Sequence, residues 1–417
     1  MNIKKLVAAA GAMVMLTGCG QVKESVTDFI DNDVNIGKNA PAVNASIDDI
    51  KALNDEAAKT ETSYESEEEK ALRLAEERMK KLSDKADEYI SKMSSEEKIG
   101  QLILARLSDT PTDDMTKYQY GGYTFYGKDF KKTDVDGVAA LTVEIYEAEK
   151  ISPFFAVDEE GGTVVRVSEY SQYRDEPFSS PQLLYSRGGA ELLEMDTEEK
   201  AKLLTSMGLN LNLAPVADIS TNEESYIYPR TMGQTAEGTA EAISVIVRTA
   251  GENGLASFIK HFPGYGENTD THKGTAHDSR ELYEFYNRDF VPFEADIHAD
   301  PEKTPAVMVG HTIYDLIEPD VPASLSPEIH KVLREKLGFN GVVITDDLGM
   351  DAISDYSGEQ SVYVMAVLAD NDMLCVSEPE TAYAELVSAY EEGVITDDML
   401  DAHVKRILIM KLQYGIM

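Results

Sequence analysis

Gly341-Val-Val-Ile-Thr-Asp-Asp-Leu-Gly-Met350 is a short apolar, β-branched run that stops at two adjacent carboxylates. Its length and β-branched content read as a buried strand with acidic groups at its C-terminal edge. The preceding stretch, 327–337, has the spacing of a helix and is followed by Gly338, a helix-ending residue. Seven further runs share this texture: 101–106, 122–125, 153–158, 211–218, 256–261, 306–311 and 372–376. Helical patterns such as 138–150 and 236–253 lie between them, and a closing helix is expected over about 396–413. Eight strands alternating with helices predict an α/β fold, a single (β/α)8 barrel.

Several of these strands end in a polar or charged residue: Asp158, Asp218, His261, His311 and Asp346. A barrel carries its active site at the C-terminal ends of its strands, so five such endings converge on one mouth. Because side chains alternate along a strand, Asp346 and Asp347 cannot both face that mouth from regular geometry. One is free to attack or stabilise a cationic centre while the other binds backbone, and strand chemistry alone leaves the choice open.

A second motif is Lys260-His-Phe-Pro-Gly-Tyr-Gly-Glu-Asn-Thr-Asp-Thr-His272. Here a strand end is followed by a Gly- and Pro-containing loop that carries Asp270 and His272. An Asp two residues before a His can accept its ring N–H and fix the tautomer, which suits the His to proton transfer near neutral pH. His261, His272, His277 and Asp270 also lie close in sequence, yet their spacing fits no standard zinc pattern. No metal and no cofactor are expected.

The N-terminus speaks to location. Lys4 and Lys5 precede an apolar run over 6–16, too short to span a bilayer, which ends in Leu16-Thr17-Gly18-Cys19. This looks like a bacterial lipobox, so residues 1–19 are expected to be a signal peptide, with Cys19 lipid-modified at the outer face of the cell membrane. Residues 20–85 are polar and acidic and are expected to form a tether with a charged helix starting near Glu67. The barrel is expected to fill 86–417 without a second domain. The only other cysteine, Cys375, lies in an apolar run, so stability must come from a large core rather than a disulfide. The formal charge of −38, from 76 acidic and 38 basic residues, disfavours nucleic acid and anionic lipid as ligands.

Together with Ala156-Val-Asp-Glu-Glu-Gly-Gly162 and Leu211-Asn-Leu-Ala-Pro-Val-Ala-Asp218, these motifs bring the chain to a known family. It resembles the N-terminal catalytic domain of glycoside hydrolase family 3, in the bacterial β-N-acetylglucosaminidase branch. Ser95-Glu-Glu-Lys-Ile-Gly-Gln101, Pro322-Ala-Ser-Leu-Ser326 and Leu333-Arg-Glu-Lys-Leu-Gly-Phe339 extend the resemblance from about residue 93 to the end. The resemblance implies Asp346 as nucleophile and His272, paired with Asp270, as acid/base. It further implies sugar contacts by Asp158, Arg166, Arg230, Lys260 and His261. The expected partner is a carbohydrate, either an N-acetylglucosamine-containing glycan or a peptidoglycan fragment, and a monomer is expected. The implied reaction is hydrolysis with retention through a glycosyl-aspartate. Another exo-β-glycosidase, a phosphorylase sharing that intermediate, and a sugar-binding surface lipoprotein are the competing readings.

Three departures from the family pattern stand out. The usual Gly-His-Gly is Gly264-Tyr265-Gly266, the loop before Asp270 is one residue short, and an Ala-Gly pair becomes Ala369-Asp370.

Overall fold

All eight runs form strands, and each pairs in parallel with its neighbours. The computed structural model describes residues 66–417 apart from Thr269, Pro301, Asp355 and 357–359. The expected leader, Cys19 and most of the expected tether therefore lie outside the described residues. The strands are β1 (Ile103–Arg106), β2 (Gly122–Phe125), β3 (Phe154–Val157), β4 (Leu211–Asn212), β5 (Ala256–Phe262), β6 (Ala306–Val309), β7 (Val343–Thr345) and β8 (Leu374–Val376). β8 returns to pair with β1, placing Ile103 opposite Leu374. One bridge, Ile344 to Met373, joins β7 to the start of β8 and brings the sheet round to a (β/α)8 barrel.

Most strands are shorter than their apolar runs, and for two the cause is plain. The first begins only at Ile103, because Ser95–Gln101 forms a helix with Ser94 as N-cap in a capping box with Glu97. The fourth stops at Asn212. Pro215 lacks the N–H a ladder needs, and Val216 makes a single bridge to Lys260. The expected helices are present as Val135–Glu147, Ala236–Glu252, Pro327–Lys331 continued by a π-turn over Val332–Lys336, and Asp397–Gln413. Gly338 has a φ of 70°, the left-handed conformation that ends a helix and that glycine tolerates best.

Side chains reinforce the backbone hydrogen bonds of the seam between β7 and β8. Asp372 Oδ2 accepts the Val343 N–H at 2.8 Å, and Thr345 Oγ1 accepts the Cys375 N–H at 3.1 Å. Asp372 also holds Arg334, Arg406 and His403, at 2.8, 2.6 and 2.9 Å. Asp370, where the family pattern carries glycine, has a φ of 83° and ion-pairs with Arg334 and Arg406, both at 2.9 Å. That left-handed backbone is one glycine adopts freely and aspartate tolerates better than most residues.

The helix expected within the tether runs Glu67–Ile90. Its last turns join the barrel's apolar core through Ala86 and Ile90, and Asp87 pairs with Lys405 of the closing helix at 2.8 Å. Among the described residues no helix is long and apolar enough to cross a membrane.

Candidate active site

Each strand delivers a polar group at or just beyond its C-terminal end. In order they are Arg106, Tyr126, Asp158, Asp218, Lys260 with His261, His311, Asp346 with Asp347, and Ser377. A register shift between Lys260 and Phe262 interrupts the alternation of β5 there. Irregularities of this kind re-aim side chains, and here two neighbouring residues both serve the mouth.

The two adjacent carboxylates have different occupations. Asp347 accepts the Gly349 N–H at 2.9 Å, the Ser377 hydroxyl at 2.8 Å and the Tyr126 hydroxyl at 3.3 Å. It therefore caps the turn that follows the strand. Asp346 accepts only the Asp347 N–H, through Oδ1 at 2.9 Å, and its Oδ2 has no hydrogen bond among the described residues. Burial alone would raise the Asp346 carboxyl, but the fields of His311, His261 and Lys260 outweigh it and bring it to about 2. Asp346 is thus an anion with an uncommitted oxygen.

The basic groups around it are themselves tied down. Lys260 Nζ sits 2.8 Å from Asp158 and 2.7 Å from Glu160. Arg230 grips Glu160 with two bonds, Nη2 at 2.8 Å and Nε at 3.0 Å. Desolvation would raise the Glu160 carboxyl, yet Arg230 and Lys260 hold it well below the usual carboxylate range. His261 Nδ1 lies 2.6 Å from Asp218 Oδ2, and its Nε2 faces Arg230 at 3.4 Å. His311 Nε2 meets the Asp347 carbonyl at 3.0 Å, and since a carbonyl only accepts, that nitrogen carries the hydrogen. Its Nδ1 lies 2.8 Å from the Ser324 hydroxyl. Burial lowers the His311 pKa, and the charge of Asp346 partly opposes that.

Asp270 and His272 come together as their spacing suggests. Asp270 caps a 3₁₀ turn over Thr271–Lys273, accepting the His272 N–H at 3.1 Å and its Nδ1–H at 2.9 Å. The Asp270 carboxyl is lowered despite partial burial, chiefly by those two bonds. The His272 side chain is 57% exposed, so its ring stands at the rim rather than in the core. The turn packs beside Asp351–Ser354, the short helix that follows Asp346 and Asp347. Gly264 and Gly266, both at positive φ, let this loop start. Gly264 has a φ of 130°, and a Cβ there would meet Asp289 Oδ1 at 2.5 Å.

Arg166 stands apart from the other expected sugar contacts. Its backbone N–H bonds Glu159 at 2.7 Å and its guanidinium donates to the Val165 carbonyl at 3.3 Å, with no carboxylate in ion-pair range among the described residues. The three histidines that lie close in sequence do not share a site. His261, His272 and His277 each face a different carboxylate, Asp218, Asp270 and Asp315. Among the described residues one cluster has metal-ligating composition, Asp370, Asp372 and His403. It lies at the β7–β8 seam, where Arg334 and Arg406 already occupy its oxygens.

Glu160 is the main site residue that motif reading passed over. Its need is evident only once Lys260 and Arg230 are seen to be buried, because buried cations require counter-charges. Tyr126 and Ser377, which occupy Asp347, gave no comparable signal.

A parallel barrel with an ionised, uncommitted aspartate, cationic neighbours and a rim His–Asp pair defines a glycoside-processing enzyme. The profile of the glycosyl hydrolase family 3 N terminal domain matches residues 94–410, and the chain belongs to that family. A β-hexosaminidase of Stenotrophomonas maltophilia is 35% identical over 250 residues, covering 58% of this chain and 72% of that protein. A β-hexosaminidase of Methylococcus capsulatus is 29% identical over 294 residues, covering 70% and 85%. Among solved structures, a family 3 β-N-acetylglucosaminidase from Paenibacillus superposes with a TM-score of 0.72 at 28% identity. That match covers 78% of this chain, which spans only 63% of the other. A β-N-acetylhexosaminidase from Beutenbergia cavernae gives a TM-score of 0.67 at 26% identity, with 76% of this chain and 98% of that one covered.

Proposed function

We propose that this glycoside hydrolase of the β-N-acetylhexosaminidase type removes terminal β-linked N-acetylglucosamine with retention of configuration. In this reading Asp346 attacks the anomeric carbon while His272 protonates the departing oxygen. His272 donates Nδ1–H to Asp270, which leaves Nε2 as the atom that exchanges the proton. His272 then deprotonates water, whose oxygen displaces Asp346 and restores the free enzyme. Asp158, Lys260, His261 and Arg230 bind and orient the terminal sugar, and Arg166 joins them from the β3 loop. The substrate class rests on the hexosaminidase relatives. Export, with lipid on Cys19 holding a monomer at the outer face of the membrane, rests on the lipobox-like leader.

The observation that carries the reading is the unequal pair at the end of β7. Asp347 is committed to Gly349, Ser377 and Tyr126, while Asp346 keeps an oxygen available and is held ionised. The test is NMR of the first product from an aryl N-acetyl-β-glucosaminide, combined with trapping by a 5-fluoro N-acetylglucosaminyl fluoride. Release of the β-anomer and an adduct mapped to Asp346 are expected. The α-anomer, or an adduct on another residue, would overturn the mechanism.

A further inference from the structure

Tyr265, which stands where the family pattern has histidine, is bonded at both ends of the site. Its backbone N–H donates to Asp218 Oδ1 at 2.6 Å, and Asp218 Oδ2 holds the His261 ring at 2.6 Å. Its hydroxyl oxygen accepts the Thr271 N–H at 2.7 Å and lies 3.1 Å from Thr271 Oγ1. Thr271 is the residue between Asp270 and His272, and it is buried. The phenol thus reaches across the shortened loop and fixes the middle residue of the Asp–Thr–His segment. Tyr265 itself is only 4% exposed, and its ring packs against His261 and Tyr226 with centroids 5.6 and 5.8 Å apart. Tyr226 in turn lies within the electrostatic influence of Arg230 and Asp270, and its ring lies 6.4 Å from that of His272.

We propose that Tyr265 is a positioning residue, a latch that sets where the His272 ring stands relative to the sugar-binding groups. The inference rests on the assignment of His272 as acid/base. A histidine carried on an exposed turn samples many placements unless its backbone is pinned, and proton transfer tolerates little misplacement. Here the pin is one hydroxyl. It acts on the amide next to His272 and is anchored through its own amide to the carboxylate that orients His261. The loop is one residue shorter than the family pattern, and the long phenol supplies the reach that the missing residue removes.

The test compares Tyr265→Phe with His272→Ala and wild type on two N-acetylglucosaminides. One has a poor alkyl leaving group that needs protonation, and the other a dinitrophenyl group that does not. For Tyr265→Phe the ratio of kcat/KM on the alkyl substrate to that on the dinitrophenyl substrate is expected to fall at least tenfold. Hydrogen exchange in the 266–275 segment is expected to accelerate. Equal losses on both substrates, or an unchanged ratio, would overturn the latch. The controls separate the two claims. If His272→Ala leaves the ratio unchanged, the acid/base assignment itself fails. If only His272→Ala lowers the ratio, the assignment stands and the role of Tyr265 falls. Thermal unfolding and exchange outside the segment report whether Tyr265→Phe remains folded.

Discussion

The His261 imidazole donates through Nδ1 to Asp218 Oδ2 at 2.6 Å, and both side chains are buried. The same carboxylate accepts the His261 and Tyr265 backbone N–H groups, at 3.2 and 2.6 Å. Asp218→Ala strands three buried donors, so a loss of about 3 kcal/mol in folding stability is expected. Urea midpoints would measure it, and a change below about 1 kcal/mol would show that the donors find other partners.

Glu160 neutralises two cations of the proposed sugar-binding region. With Glu160→Gln, Arg230 loses its ion-pair partner and Lys260 is left with Asp158, which is drawn toward it. Sugar binding is expected to suffer more than chemistry, with KM rising roughly tenfold and kcat falling less. Steady-state kinetics on an aryl N-acetylglucosaminide decide this, and a loss confined to kcat would contradict it.

Asp296, on the helix Phe290–Ile297, is buried and its Oδ2 has no hydrogen-bond partner among the described residues. Burial pushes its carboxyl up from 3.8 to about 7. The folded state therefore keeps a proton that the unfolded chain releases above about pH 4, and this contribution to stability declines as pH rises toward 7. Asp296→Asn removes that decline. The margin by which its unfolding midpoint exceeds that of wild type is expected to widen from pH 5 to pH 8. Parallel pH profiles for the two proteins would contradict the assignment.

The backbone at Asp370 makes a third kind of demand. Alanine at a φ of 83° costs about 1–2 kcal/mol, and the half-exposed ion pairs to Arg334 and Arg406 add little. Asp370→Ala is expected to lose about 1–2 kcal/mol and Asp370→Gly distinctly less. Equal denaturation midpoints for the two variants would remove backbone conformation as the reason.

The barrel was legible because its strands are short apolar runs spaced by amphipathic helices, a pattern that needs no long-range information. Strand boundaries were less so. The run 211–218 looks uniformly strand-like, but the imino nitrogen of Pro215 and the needs of the mouth end it at Asn212. Strand alternation left Asp346 and Asp347 equivalent. What separates them lies far away in the chain, in Tyr126 on one side and Ser377 on the other. Family resemblance selected Asp346, and among the described residues the hydrogen bonding occupies Asp347 and leaves Asp346 an oxygen without one. The Asp270–His272 pair was readable because both partners sit within three residues. Glu160 was not, because its partners lie 70 and 100 positions downstream.

The seam between β7 and β8 couples the sheet to the charges behind it. Backbone hydrogen bonds and one bridge join the two strands there, and two side-chain oxygens add to them. Asp372 is consequently both a stitch in the sheet and the centre of an arginine cluster. Arg334 and Arg406 converge on the carboxylate that also accepts the Val343 N–H. A charge cluster outside the sheet thus sets the footing of the strand that leads into Asp346, the aspartate proposed to carry the sugar.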